Sequence, residues 1–215
     1  MKKLILLALA IFLLLVWSEN RKQTLLPTYQ IVQEPIELTA GEVGYSLTVD
    51  VSFGDNDIEK WIGTMNKPYP LLFLDLAWIE RSPEIIHLIQ EKKIPVGLLG
   101  EKAEDYEEVD TLLPKQLKEF TSLFGEAPLY FRTRDGAFSE TLLQQCWKAK
   151  VNAIGASKRW NTTFTKLKEG DILQVPLHQK NRIPWEELKI IQQTYTFQTV
   201  EETILGMNVT TKSYP

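Results

Sequence analysis

Leu71-Leu72-Phe73-Leu74, Ser82-Pro83-Glu84-Ile85-Ile86-His87-Leu88-Ile89 and Ile94-Pro95-Val96-Gly97-Leu98-Leu99 follow one another in the chain, and together they decide the fold. The first piece is an unbroken apolar run, the pattern of a parallel strand covered on both faces. The second is a helix start: Ser82 can accept hydrogen bonds from free backbone N–H groups, Pro83 presets φ, and Glu84 favours the positive helix end. Ile85, Ile86, Leu88 and Ile89 make its apolar face, which puts His87 on the wetter side and outside any ligand role. The third piece is again strand-like. Strand, helix and strand at this spacing imply parallel pairing with a right-handed crossover.

The same alternation continues in both directions. Upstream, residues 46–51 form a strand candidate and residues 57–65 a weakly patterned helix. Downstream, residues 112–124 are amphipathic and Gly125 closes them as a C-cap. Strands are predicted at residues 129–131, 151–155, 172–175 and 194–198, and helices follow Ser139, Pro184 and Thr199. A barrel and a doubly wound open sheet both satisfy this pattern. In either, ligands gather beyond the C-terminal strand ends, where Asp50, Leu99, Arg132 and the residues after Val175 fall together.

With 44% hydrophobic residues in 215, the chain can bury one sizeable core, so one main domain is predicted. A net charge of -4, with basic and acidic residues interleaved, supplies no field to hold a polyanion and excludes nucleic acid as the expected partner. Lys2 and Lys3 precede an apolar segment over residues 4–17, which is followed by Ser18, Glu19 and Asn20. That pattern is a secretory signal peptide or, since no small-x-small cleavage site follows it, a slightly short signal anchor. The expected organisation is therefore a signal or anchor over residues 1–22, a spacer over 23–44 broken by Pro27 and Pro35 with room for one edge strand, and a domain over 45–215. Cys146 is alone in the chain and sits in a helical stretch, as a buried inert thiol would.

Three motifs carry a more specific message. Thr48-Val49-Asp50-Val51-Ser52, then Gly97-Leu98-Leu99 with Ala103, then Phe131-Arg132-Thr133-Arg134-Asp135-Gly136 resemble, in order and spacing, the polysaccharide deacetylase (NodB-homology, carbohydrate esterase 4-like) family. Glu80, Pro83 and Glu84 match the helix start common in that family, and Gly170-Asp171-Ile172-Leu173 its final motif. The resemblance covers roughly residues 45–178 and implies a distorted (β/α) barrel of polysaccharide-deacetylase type. It assigns Asp50 as general base, Arg132 as the residue orienting that carboxylate, and His178, two residues later than a gapless match, as general acid.

It also implies what is missing. The three positions that hold metal ligands in the family are Val51, Leu99 and Ala103 here, so no metal cofactor is expected. A catalytic metal lowers the pKa of its water from about 15.7 to about 7, which at about 1.36 kcal/mol per unit is roughly 12 kcal/mol of easier deprotonation. A general base contributes only about 10²- to 10⁴-fold; Asp50 alone cannot replace the ion. Glu101, Glu104 and Asp105 offer oxygen ligands, but they belong to an acidic run better explained as a solvated face. Arg132, Arg134 and Asp135 fit either an ion-pair knot or the lining of a residual pocket, and Trp78 and Trp160 fall near rim loops where they can stack on sugar rings or pack. The functional expectation is an inactive extracytoplasmic domain, membrane-anchored or secreted, that binds cell-wall glycan or an envelope protein. The alternative is an active carbohydrate or peptidoglycan deacetylase with a rearranged site using Asp50, Arg132 and His178.

Overall fold

The computed structural model describes residues 31, 34–52, 56–160, 166–177 and 185–206. Nine strands among them form one sheet: β1 (Glu37–Leu38), β2 (Tyr45–Val51), β3 (Leu71–Asp75), β4 (Val96–Leu99), β5 (Tyr130–Arg132), β6 (Asn152–Ile154), β7 (Lys158–Arg159), β8 (Asp171–Pro176) and β9 (Phe197–Gln198). Every ladder pair is parallel, in the spatial order β1-β6-β5-β4-β3-β2-β8-β7. Since β8 follows one edge of β2 from Tyr45 to Asp50, β9 shares the other edge with β3, which pairs only from Thr48 onward. Strands β2 to β6 are added in one direction, without the reversal that marks a doubly wound sheet. The result is a curled half-barrel.

Helices α1 (Asn56–Thr64), α2 (Leu76–Arg81), α3 (Pro83–Lys92), α4 (Ala103–Glu108), α5 (Leu112–Phe124), α6 (Glu140–Lys148), α7 (Trp185–Thr194) and α8 (Val200–Leu205) complete the described chain. Side chains alternate across each strand, and this divides the apolar residues into two cores. Val49, Val51, Leu74, Leu98 and Phe131 pack outward with helix residues such as Ile58, Ile86 and Phe120. Leu71, Phe73, Leu99, Tyr130 and Ile154 pack inward, joined by Leu38 and Val200. Helix α8 thereby plugs the N-terminal mouth of the half-barrel, held by a Tyr130 Oη–Glu201 hydrogen bond and by Glu42 N donating to Thr203 O at 2.9 Å. Its start is a capping box: Thr199 Oγ1 accepts from Glu202 N at 3.2 Å while Glu202 accepts from Thr199 N.

Several expectations hold in detail. His87 is exposed on α3, Gly125 caps α5 at φ 91°, and Ser139 caps α6 by accepting from Leu142 N. The edge strand allowed within the spacer is β1, so ordered sheet begins before residue 45. From β1 the chain runs on to a bridge between Ala40 and Asp171 of β8. Helices α2 and α4 and strand β7 were not predicted: six residues are too few to display a helical period, and two too few to display an alternation. The apolar segment 4–17 lies outside the described residues; among those described, no helix is long and apolar enough to cross a membrane.

Two packing consequences can be checked. An added Cβ on Gly100 would sit 2.1 Å from Tyr106 Oη and 2.6 Å from a Phe131 ring carbon. Tyr106 is itself pinned, donating to Gln116 Oε1 at 2.5 Å and accepting from Glu101 N at 2.8 Å. Gly100→Ala should therefore cost about 1–3 kcal/mol, measured as a lower urea midpoint with unchanged slope. Burial also pushes the Cys146 thiol up to about 12. Its thiolate at pH 8 is then about a thousandfold scarcer than for a free cysteine, and iodoacetamide should label Cys146 only after unfolding.

Candidate functional site

Asp50 ends the inward-facing row Ser46, Thr48, Asp50 of β2, and Arg132 ends β5; both side chains are 0% exposed. Four hydrogen bonds hold the Arg132 guanidinium across the interior. Its Nη1 donates to Asp50 Oδ1 at 3.0 Å and to Thr48 Oγ1 at 2.8 Å. Nε donates to Ile154 O at 2.9 Å and Nη2 to Gly155 O at 2.6 Å, and the guanidinium carbon sits 4.3 Å from the centroid of the Phe73 ring. Burial lowers the Arg132 pKa, while the Asp50 charge pushes it back up. The partners surround a cation where water does not.

The second Asp50 oxygen is also taken, since Gln174 Nε2 of β8 donates to Oδ2 at 2.5 Å. Sequence reasoning missed Gln174. Its signal is an amide inside the apolar run of β8, directly opposite Thr48 in register. With both oxygens accepting and no exposure, Asp50 is built as a structural anion, and a base that meets water needs an accessible lone pair. His178, the acid implied by resemblance, lies outside the described residues.

At the rim above, a second charged cluster forms. Asp75, 8% exposed, ends β3; it accepts from Trp78 N at 3.0 Å, capping α2, and forms an ion pair with Arg134. Arg134 Nε lies 3.6 Å from Glu101 Oε2, and Arg134 N donates to Glu101 O at 3.1 Å. Asp135 joins neither arginine. Its carboxylate accepts from Ala103 N at 3.3 Å and Ala137 N at 3.3 Å, tying the start of α4 to the loop after β5. In place of a knot of Arg132, Arg134 and Asp135 there is a buried Arg132–Asp50 pair, a separate Arg134 bridge to Asp75 and Glu101, and a loop clasp made by Asp135.

The two tryptophans belong elsewhere. Trp78 is 0% exposed in the outer core, and Trp160, 8% exposed, packs in the same cluster while its backbone N–H donates to Gln174 O. Neither presents a ring face for sugar stacking, which corrects the expectation for Trp78 and Trp160: a residue at a strand or helix end can still turn its side chain into the core.

The donor set at the rim does not fit the family metal. Val51 is 0% exposed among outer-core residues, Leu99 is 2% exposed in the inner core, and Ala103 has a methyl side chain and a backbone N–H that donates to Asp135. None of the three side chains carries a lone pair. Among the described residues, no group of three or more His, Cys, Asp or Glu is placed to hold an ion.

Comparison with known proteins agrees with this architecture. The sequence matches no protein-family model, and no curated protein is significantly similar to it. Solved structures do match. The BA3943 pseudoenzyme of carbohydrate esterase family 4 from Bacillus anthracis aligns with a TM-score of 0.63 at 15% identity, over 79% of this chain and 69% of that one. The chitin deacetylase of the fungal pathogen Colletotrichum lindemuthianum aligns at 0.63 and 15% identity, over 80% and 93%. PdaA of Bacillus subtilis, a family 4 carbohydrate esterase, aligns at 0.62 and 15% identity, over 80% and 86%. The fold is that of the family 4 carbohydrate esterases. A BA3943 mutant has restored enzymatic activity, so this esterase fold occurs both with and without a working site.

Removing one member of the buried pair leaves the other charge unpaired. Asp50→Val and Arg132→Met should each cost about 3–5 kcal/mol, whereas the double variant Asp50→Val/Arg132→Met should cost clearly less than their sum. A double-mutant cycle from urea unfolding checks this.

Proposed function

We propose that this chain is a metal-free, catalytically silent domain of the esterase fold that works as a binding module at the cell envelope. Cell-wall glycan or an envelope protein would be held over the C-terminal rim, and the N-terminal apolar segment would tether the domain to the membrane or direct its export. One observation carries the reading: the only carboxylate in the position of the family base is sealed, with Asp50 Oδ1 on Arg132 and Oδ2 on Gln174 at 0% exposure. Val51, Leu99 and Ala103 support it, because a hydrolase of this type draws most of its advantage from the ion those positions would hold.

A second reading, a deacetylase working with a rearranged site, is favoured by the surviving Asp50–Arg132 pair. That pairing has a structural explanation in the neutralisation of a buried guanidinium, so it weighs less than the sealed carboxylate.

Elemental analysis and acetate release separate the two. The purified full chain in detergent should carry well under one zinc per molecule. It should release no acetate from acetylated chitin oligosaccharides or peptidoglycan fragments with added Zn²⁺, Mn²⁺ or Co²⁺, and it should co-sediment with insoluble cell-wall material or with an envelope protein. Near-stoichiometric zinc that disappears in Asp50→Ala, or acetate release that collapses in Asp50→Asn, would establish the enzyme instead.

A further inference from the structure

We infer that Arg134 is a built-in cation that closes the rim to divalent ions. Its guanidinium bridges the end of β3, through Asp75, to the segment that leaves β4, through Glu101. Leu99, the last residue of β4, and Ala103, at the start of α4, flank that segment and are two of the three positions where the resemblance calls for metal ligands. The backbone reinforces the bridge, with Arg134 N on Glu101 O at 3.1 Å and Gly100 N on Arg132 O at 2.8 Å.

The two contacts differ in weight. Glu101 is 43% exposed and Arg134 35%, so water screens that pair. Asp75 is 8% exposed and, among the described residues, accepts from the Trp78 N–H and is paired with the Arg134 guanidinium. Asp75 therefore needs a cation, and Arg134 supplies one that cannot dissociate. A guanidinium has donors and no lone pair, so its presence also keeps a metal from approaching the two carboxylates.

It follows that replacing Val51, Leu99 and Ala103 by the family's ligands would not be enough to load an ion, because a fixed positive charge would remain between Asp75 and Glu101. The inference deepens the reading of a metal-free rim, but it is tested apart from that reading: zinc and acetate assays address activity, and the following measurement addresses Arg134.

Thermal unfolding of the full chain in detergent is followed with EDTA and with 10 mM Ca²⁺. The wild type should show no calcium response. Arg134→Gln should unfold at lower temperature in EDTA and regain about 3–6 °C in calcium, for a site with a Kd of about 1 mM. Asp75→Asn in that background should abolish the gain, and Arg134→Lys, which keeps the charge, should remain indifferent to calcium. Folding of Arg134→Gln only in calcium would support the inference equally. It is overturned if the wild type gains stability from calcium through Asp75, or if Arg134→Gln shows no calcium response. It is also overturned if Arg134→Gln fails to fold under both conditions while Arg134→Lys folds.

Discussion

The structure depends on one ion pair inside a curled sheet. Arg132 crosses from β5 to Asp50 on β2 and also binds Thr48 and the carbonyls of Ile154 and Gly155, so a single guanidinium joins β2, β5 and the end of β6. Such a bridge is costly to desolvate, and it persists because each guanidinium nitrogen and both Asp50 carboxylate oxygens have a partner. In an open half-barrel it does what closure does in a full barrel: it fixes how far the two halves of the sheet stand apart.

The buried pair and the three positions that the resemblance assigns to metal ligands have different physical standing. Val51 and Leu99 merge into the outer and inner cores and add apolar burial, so an apolar side chain at each position contributes packing. Loss of Asp50 or Arg132 would strand a buried charge. Residues of the first kind can be exchanged among apolar side chains at little cost, whereas neither member of the buried pair can be changed alone without stranding its partner.

Much of the fold was legible along the chain because fully buried parallel strands announce themselves as apolar runs, as at residues 71–74 and 94–99, and because Ser82, Ser139 and Thr199 mark helix starts. The Asp50–Arg132 pair was legible from motif order. Gln174 and Asp75 were not, since their partners come from strand register and from a loop far away in sequence, and no local pattern encodes either. Trp78 and Trp160 misled for the opposite reason: the sequence places them near the rim, but which way a ring turns is settled by the helix or strand beneath it. Arg134 was visible as a charge, and only its position between Asp75 and Glu101 reveals what that charge does.

The plug formed by α8 also has a directional consequence. The described chain enters beside the first residue of β6, where Ile31 N donates to Asn152 Oδ1 at 3.0 Å, and it reaches Gly206 next to Glu42, just ahead of β2. Entry and exit thus share the pole at which the strands begin, while the charged rim occupies the pole at which they end. Anything attached at either end of the described chain would therefore sit opposite the rim and leave it unobstructed.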